Sequence, residues 1–357
     1  MSTRRYVMPV EQTQWHVPGG GAETVFTWDY DEGRDKLLAL YEKGKNKQWN
    51  ATDRLDWSAE IDDGNPLGAP EEYVPIFGSR VWEKMDEKMR GTTRRHLAAW
   101  QFSQFLHGEQ GALICTAKIV QCVPSLDAKF YAATQVVDEA RHVEVYSRYL
   151  NEKIKLSYPI NKDLKQLLDQ VVQDKNWDMT CLGMQIIIEG LALAAFQIVR
   201  DLAQEPLAKS LTAYVMQDEA RHVAFGRMAL RDYYPQLTDA ERAWREEFVV
   251  DACWLMRDRF QGQEVWEHLD VDSKECLAFV EKSSTIAEFR KMLFMRIVPT
   301  LKDIGLFGPK VKKCFEDMGV IHFADLDVTA LSAADEQAGD MYDAQRASVT
   351  RAIDAAE

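Results

Sequence analysis

The sequence predicts an all-α protein whose centre is a four-helix bundle, extended by additional helices on both sides. Three observations favour this fold. The string Asp-Glu-Ala-Arg-His-Val occurs twice, at positions 138–143 and 218–223. A lone glutamate lies 30 residues before the Glu of each copy, at Glu109 and Glu189. Between these positions the apolar spacing is helical, and the breaks fall at prolines.

Residues 1–79 precede the repeats and are predicted to form an N-terminal arm that lies against the main body. The stretch is rich in turn residues, among them Gly19-Gly20-Gly21. One helical pattern stands out, at about 34–49. The arm is therefore expected to contain one helix.

Residues 80–234 are predicted to form the bundle. Pro124 lies midway between Glu109 and Glu139, and the equivalent midpoint of the second unit lies beside Pro206. Because proline ends a helix or starts the next one, each unit should turn there and form a helical hairpin. About 14 residues of helix on each side span roughly 20 Å, so each lone glutamate returns to the level of the repeated string. A further helix is expected at about 162–175.

Residues 235–357 are predicted to be a C-terminal helical extension, packed on the bundle as one structural unit. Its first helix should begin after the capping sequence Thr238-Asp239-Ala240-Glu241 and end at about residue 261. Roughly the last 30 residues are rich in Ala and Asp, which predicts a peripheral, partly helical or frayed end.

The repeated string contains Glu-x-x-His, which places a carboxylate and an imidazole side by side on one helix face. With the two lone glutamates, the hairpins present four carboxylates and two imidazoles at one level. Two divalent cations balance that charge, and oxygen and nitrogen ligands without thiolate favour iron. The alternative, a set of buried salt bridges, would need all six residues to match by coincidence. The predicted metal ligands are Glu109, Glu139, His142, Glu189, Glu219 and His222.

Charged residues inside the repeated string are expected to support those ligands. Asp138 and Asp218 can each hold a ligand histidine by its second ring nitrogen. Arg141 and Arg221 would then neutralise the two aspartates. The alternative is that these residues form solvated charges on the outer helix faces.

The order of these motifs resembles the ferritin-like di-iron carboxylate superfamily, in its oxygen-activating branch of monooxygenase hydroxylases, desaturases and ribonucleotide reductase small subunits. The resemblance covers residues 80–234, and the sequence around Gln48-Trp49 is similar to the lead-in of the same branch. It implies a cofactor of two iron ions, or of manganese and iron, with O2 as co-substrate. Each hairpin would supply three of the six ligands.

Three further positions bear on the branch. Tyr146 lies one turn after His142, where ribonucleotide reductase small subunits commonly keep a radical tyrosine. It is either a radical or pocket residue, or a core aromatic whose hydroxyl is satisfied. Leu193 stands where monooxygenase hydroxylases often carry Thr. Val215 stands where arylamine N-oxygenases carry an additional His, which weighs against that group.

Residues one helical turn from the ligands are expected to line an apolar substrate pocket. The predicted function is a di-iron oxygenase that activates O2 to hydroxylate, epoxidise or desaturate a small apolar or aromatic substrate. No flavin, nicotinamide or iron–sulfur motif is present, which implies an external reductase or ferredoxin as electron donor. The predicted pocket residues are Phe105, Leu113, Gln185, Ala192, Leu193 and Val215.

Two other functions fit the same ligands. One is a radical-generating subunit similar to the ribonucleotide reductase small subunit, which would use Tyr146. The other is iron storage or peroxidase activity. About 120 residues follow the fourth bundle helix, which is more than a compact storage bundle needs.

Composition limits the partners. The formal net charge of −14 argues against nucleic acid and against an anionic membrane surface. Six cysteines without Cys-x-x-Cys, and a first 15 residues without an apolar stretch, predict a cytoplasmic protein. The apolar run at 181–199 contains Glu189, which predicts a buried helix rather than a membrane span. A homodimer is expected, since bundles of this superfamily commonly dimerise.

Overall fold

The computed structural model describes residues 21–26 and 35–354, and in these ranges it contains helices and loops without a β-strand. The predicted all-α class is confirmed. Residues 1–20 and 27–34 of the predicted arm, which include the predicted start of its helix, lie outside the described residues. The α-helices are α1 Asp35–Asn46, α2 Ala51–Arg54, α3 Arg80–Glu83, α4 Glu87–Cys122, α5 Leu126–Arg148, α6 Lys162–Gln173, α7 Trp177–Cys181, α8 Glu189–Leu202, α9 Pro206–Tyr233, α10 Asp239–Asp258, α11 Gln263–His268, α12 Ser273–Lys282, α13 Ser284–Met292, α14 Ile297–Asp303, α15 Pro309–Asp317 and α16 Val328–Asp354.

Shorter helical turns of other geometry connect or extend these helices. Two of them are π-helical and follow directly on α5 and α7. The π-helical turns are Tyr149–Ile154 and Leu182–Ile188, and the 3-10 turns are Glu71–Tyr73, Tyr234–Gln236 and Ile321–Asp325.

Four long segments form two hairpins in the region predicted to be the bundle. The first hairpin is α4 and α5, and the second is the continuous segment of α7, the π-turn and α8 followed by α9. Ser125 caps α5 by accepting a hydrogen bond from the backbone N–H of Ala128 at 3.4 Å. Glu205 caps α9 through the N–H groups of Leu207 and Ala208. Both connections thus lie where the sequence places the turns.

The described part of the N-terminal arm holds more than the single predicted helix. Besides α1, it contains the short α2 and a 3-10 turn. Asn50 caps α2, since its side chain accepts from the N–H of Thr52 at 2.8 Å. Arg54 at the end of α2 pairs with Asp343 of α16 at 2.7 Å. The arm therefore links the bundle to the C-terminal helix.

Helix α16 is continuous from Val328 to Asp354 and packs along α9, so this peripheral segment is helical rather than frayed. Gln217 of α9 donates a hydrogen bond to the backbone oxygen of Glu336 at 3.0 Å. Arg296 holds the buried Asp335 at 2.6 Å. A Cβ at Gly339 would lie only 2.7 Å from Gln217 Oε1. The small residues of α16 therefore serve close helix packing, which composition alone did not reveal.

One helical segment in the described part of the chain, Trp177–Leu202, is long and apolar enough to cross a membrane. Within that segment, 83% of the apolar window is buried inside the protein. Its neighbours in the bundle cover it on both sides of Glu189, which is itself buried. The packing agrees with the predicted buried helix.

Gly226 marks the point where α9 touches the π-turn, and it gives a test of the packing. A Cβ at Gly226 would lie 2.5 Å from Gln185 Cβ, which is the stiff start of that side chain. We expect Gly226→Ala to lower the free energy of unfolding by about 1–3 kcal/mol. Gly108 in α4 is the matched control, because a Cβ there meets nothing within 4 Å. Gly108→Ala should be neutral or stabilise by up to about 1 kcal/mol in urea unfolding, and equal stability of the two variants would contradict the close approach.

Candidate metal centre

The six predicted ligands meet in one buried cluster between the four long segments. His142 Nδ1 lies 3.1 Å from Glu109 Oε2 and 3.0 Å from Glu219 Oε1. His222 Nδ1 lies 3.1 Å from Glu139 Oε1. None of the six residues is more than 5% exposed. The α4, α5, α8 and α9 helices thus bring together residues that lie up to 113 positions apart in the chain.

The cluster divides into two candidate ion sites that share one carboxylate. In each site the possible ligand atoms lie within 4.8 Å of one another. The first site consists of Glu109, Glu139, His142 and Glu219, and the second of Glu139, Glu189 and His222. Glu139 would therefore be a ligand common to two metal ions held in these sites.

Several polar atoms of the cluster have no hydrogen-bond partner among the described residues. Both oxygens of Glu219 are in this state, as are Glu139 Oε2, Glu189 Oε2 and His222 Nδ1. His222 Nδ1 and Glu219 Oε1 lie 3.3 Å apart without the alignment of a hydrogen bond. A buried polar atom without a partner costs about 1–3 kcal/mol, and more when charged. Cations placed among these atoms would satisfy them, so the residues fit a metal pair.

Each repeat unit orients the histidine of the other unit. His142 Nε2 lies 3.1 Å from Asp218 Oδ2, and His222 Nε2 lies 3.2 Å from Asp138 Oδ2. Both rings therefore turn Nδ1 toward the cluster and Nε2 away from it. A carboxylate on the second nitrogen fixes the orientation of a histidine that binds metal. Asp138 and Asp218 thus hold the second ring nitrogen of a histidine as predicted, but each aspartate holds the histidine of the other repeat unit.

Two buried arginines neutralise the aspartates. Arg141 donates to both Asp138 and Asp218, the latter at 2.8 Å. Arg221 donates to Asp218 and lies 3.7 Å from Asp138 Oδ2. Neither arginine is more than 7% exposed, so the alternative of solvated outer charges is wrong for all four residues.

The arm supplies two further contacts that spacing within the repeats did not predict. Gln48 donates to Asp138 Oδ1 at 2.7 Å, and the indole of Trp49 donates to Asp218 Oδ2 at 2.8 Å. Arg141 in turn donates to Gln48 at 2.7 Å. The arm therefore closes the outer side of the network that holds the histidines.

Gln135 is a member of the centre that the sequence analysis missed. Its amide nitrogen donates to Glu139 Oε1 and to Glu189 Oε1, both at 3.0 Å. Position 135 is the counterpart of Val215 in the second repeat, so the two units differ here. A comparison of each polar residue with the residue 80 positions later would have identified Gln135 as a polar position that the second unit lacks.

Burial and crowding set the protonation of the cluster. Burial, and then the charge of Glu219, raise the pKa of Glu109 and of Glu189 well above the ordinary value. Burial alone would lower the pKa of His142, but the carboxylate of Glu109 and hydrogen bonds to Asp218 and Glu109 outweigh it and raise the pKa well above normal. Protons thus stand in for cations in this cluster, and metal binding would release them.

A cavity of about 20 Å³ lies beside the cluster, with Glu109, Glu189 and Glu219 in its wall. Of the predicted pocket residues, Phe105 and Ala192 line it. The other four do not, which corrects the prediction for Leu113, Gln185, Leu193 and Val215.

The helix geometry explains three of these four positions. In the π-turn Leu182–Ile188 the backbone hydrogen bonds join residues five apart, and the N–H of Glu189 donates to the oxygen of Met184. Met184, rather than Gln185, therefore lies one turn before Glu189 and lines the cavity. Gln185 instead donates a hydrogen bond from Nε2 to the hydroxyl oxygen of Thr116 at 3.4 Å. On α4 and α8 the cavity lies on the side of Ala112 and Ala192, three residues after the ligand, rather than of the residues four after it. Val215, four residues before Glu219, does not line the cavity.

Tyr146 is fully buried beside the cluster. Its ring packs on Phe102, Phe105 and Phe196 at centroid distances of 5.8, 5.8 and 5.9 Å. Burial raises the pKa of its hydroxyl well above normal, and Glu109 adds to that effect. The hydroxyl has no hydrogen-bond partner among the described residues, so the alternative of a satisfied core hydroxyl is wrong.

Comparison with solved structures finds helical proteins of low sequence identity. A protein from Synechococcus with aldehyde deformylating oxidase activity is 17% identical, with 63% of this chain and 97% of that chain covered and a TM-score of 0.46. An R2-like ligand-binding oxidase variant with an aerobically reconstituted Mn/Fe cofactor is also 17% identical, with coverage of 78% and 96% and a TM-score of 0.47. No curated protein sequence matches the chain.

The family comparison is the informative one. Residues 31–305 match the family described as p-aminobenzoate N-oxygenase AurF, which is most of the chain and includes both hairpins. The inference from Val215 against the arylamine N-oxygenases is therefore wrong at the level of the family, although the position is apolar here. The ligand cluster fits the paired-metal cofactor that the resemblance implied. The chain belongs to the p-aminobenzoate N-oxygenase AurF family and is thus an oxidoreductase of the ferritin-like di-iron oxygenases.

Proposed function

We propose that this chain is an O2-dependent oxygenase that oxidises the nitrogen of an aromatic amine. The observation that carries the proposal is the buried cluster of carboxylates and imidazoles with unpartnered atoms, in a chain of the p-aminobenzoate N-oxygenase AurF family. A metal pair bound there supplies O2 activation. Hydroxylation, epoxidation and desaturation of an apolar or aromatic substrate, predicted from the sequence, are competing outcomes at the same centre.

The protein's own contribution is position and dryness. Asp138 and Asp218 hold the two imidazoles, so the ligand geometry is fixed before a substrate enters. The rings of Phe105 and Phe196 meet edge to face, with centroids 4.7 Å apart, in the wall of the cavity. Such an apolar wall excludes bulk water from the reacting atoms and strengthens the electrostatic interactions inside.

The expected partners follow from the reaction. An external reductase or ferredoxin as electron donor, a homodimer and a cytoplasmic location stay predictions. All six thiols are buried and unpaired, which supports a reducing compartment.

The test is product analysis with labelled oxygen. Protein loaded anaerobically with Fe(II) is mixed with a reductant, ¹⁸O2 and p-aminobenzoate. The products are separated, and their masses are measured by mass spectrometry. We expect ¹⁸O on the amine nitrogen. If the label were found on a ring carbon, the proposed oxidation of nitrogen would be overturned, whereas the oxygenase activity would stand. If no labelled product formed from amines, alkenes or arenes, both proposals would be overturned.

A tyrosyl-radical subunit is the second candidate, because the Tyr146 hydroxyl is buried near the cluster without a partner. Under our proposal Tyr146→Phe should keep N-oxygenation within about threefold. It should also match or exceed the wild type in stability by up to about 1 kcal/mol, since an unsatisfied buried hydroxyl is removed. Electron paramagnetic resonance after O2 exposure decides the point. A tyrosyl signal that disappears in Tyr146→Phe together with activity would favour the radical subunit.

A further inference from the structure

Arg259 follows the last turn of α10 and reaches into the wall of the inner cavity. It is 6% exposed. The cavity wall that it shares contains the cluster carboxylates Glu109, Glu189 and Glu219. Arg259 also lines a larger outer cavity of about 930 Å³, between α6 and α10. The guanidinium therefore stands at the boundary between the protein surface and the metal centre.

The guanidinium has no anionic partner among the described residues. Its Nε and Nη1 atoms are buried without a hydrogen bond. Its one close contact of note is the ring of Phe260, at 4.3 Å from Cζ to the centroid. Burial lowers the pKa of Arg259 to about 9, and Asp163 opposes this only in part.

The other deeply buried arginines in the described part of the chain are paired. Arg245 holds Asp178 with two hydrogen bonds of 2.7 and 3.0 Å. Arg296 likewise holds Asp335. A buried charge without a partner is expensive, and its presence calls for a ligand that satisfies it. Arg259 therefore differs from the structural arginines.

Among the described residues, the rest of the cavity wall offers no comparable donor. Gln104 is the one side-chain amide in the wall, and both of its ends are in use. Its nitrogen donates to the oxygen of Pro159 at 2.9 Å, and its oxygen accepts from the N–H of Asn161 at 2.7 Å. The remaining wall outside the three glutamates is apolar. Arg259 is thus the cationic side chain in a wall that also contains Glu109, Glu189 and Glu219.

We propose that Arg259 binds a carboxylate on the substrate and thereby positions the other end of the substrate at the metal centre. The planar fork of a guanidinium matches a carboxylate with two parallel hydrogen bonds. This assignment rests on the proposed function, since it concerns the same cavity. The inner cavity of about 20 Å³ holds about one water, so an aromatic acid has to displace wall side chains as it binds.

Binding measurements without oxygen test the assignment independently of turnover. The affinities of p-aminobenzoate and of aniline, which lacks the carboxylate, are measured by calorimetry on metal-free and on iron-loaded protein. We expect Arg259→Met to weaken p-aminobenzoate roughly 10- to 100-fold, the range of a charged hydrogen bond, and to leave aniline unchanged. Arg259→Lys should recover part of the loss, because one charged donor remains.

The control is Arg257→Met, two positions earlier in the chain, in the last turn of α10. Arg257 pairs with Asp258 at 2.6 Å, and its side chain is 29% exposed. It should bind p-aminobenzoate like the wild type. A purely structural Arg259 would make Arg259→Met less stable in urea, whereas release of an unpaired buried charge makes it as stable as the wild type or more so.

The failures of the two proposals are distinguishable. If p-aminobenzoate binding depended on Arg259 but no oxygenated product formed, the proposed function would be overturned and the role of Arg259 would stand. Equal binding of p-aminobenzoate and aniline by the wild type would overturn the role of Arg259. The role of Arg259 would also be overturned if p-aminobenzoate bound only to iron-loaded protein and Arg259→Met did not change its affinity. The substrate carboxylate would then bind the metal instead.

Discussion

Glu139→Ala is expected to remove both metal ions, because Glu139 belongs to both candidate ion sites. Its Oε1 atom lies 3.1 Å from His222 Nδ1, and its Oε2 atom lies 3.6 Å from His142 Nδ1. Loss of this carboxylate leaves each site one ligand and part of its negative charge short. We expect less than about 0.3 iron per chain and a loss of oxygenation on the order of 10³-fold or more, since loss of an outer-shell group alone costs 10- to 100-fold.

A second alanine variant makes the prediction specific. Glu189 belongs only to the second site, so Glu189→Ala should keep the first site and bind about one iron per chain. Glu144 is an exposed carboxylate on α5 and serves as the control, because Glu144→Ala should bind as much iron as the wild type. Iron is quantified by mass spectrometry after anaerobic loading and gel filtration. Equal iron in Glu139→Ala and Glu189→Ala would contradict the shared carboxylate.

Arg221→Met is expected to give the largest loss of stability outside the ligands. Arg221 is 1% exposed, donates to Asp218 and lies 3.7 Å from Asp138. Removal of one cation leaves two buried aspartates with Arg141 as their remaining arginine. Breaking a buried ion pair from one side costs about 3–5 kcal/mol, which urea unfolding of the metal-free protein measures.

Two comparisons separate this effect from a general loss of charge. Arg231→Met removes an arginine of the same helix whose side chain is 42% exposed, and it should change stability by less than about 0.5 kcal/mol. Addition of Asp218→Asn to Arg221→Met should cost less than the sum of the two single changes. Additive losses would mean that the two side chains do not act as a pair.

The ligand cluster was predictable from the sequence because its geometry follows from helix periodicity. Two copies of Glu-x-x-His fix one face on each returning helix, and equal spacing to Glu109 and Glu189 fixes the level. Prolines near both midpoints fix the turns. Each step depends on distances along one hairpin, which a single chain displays.

The cavity wall was less predictable because it depends on helix geometry and on distant segments. The π-turn shifts the register by one residue, so Met184 replaces Gln185, and nothing in the apolar run reveals that shift. Arg259 and Trp49 come from outside the repeats, 40 residues beyond Glu219 and 60 residues before Glu109. Their roles arise from packing between elements, for which the sequence carries no periodic signal.

The crossed contacts between Asp138 and His222, and between Asp218 and His142, have the reciprocity of a twofold-symmetric dimer interface, where residue i meets j and j meets i. One hairpin alone carries a histidine that lacks the carboxylate needed to orient it. Two identical hairpins would complete each other. The repeat has the form expected of a duplicated, self-associating hairpin, and the two halves differ at Gln135 and Val215.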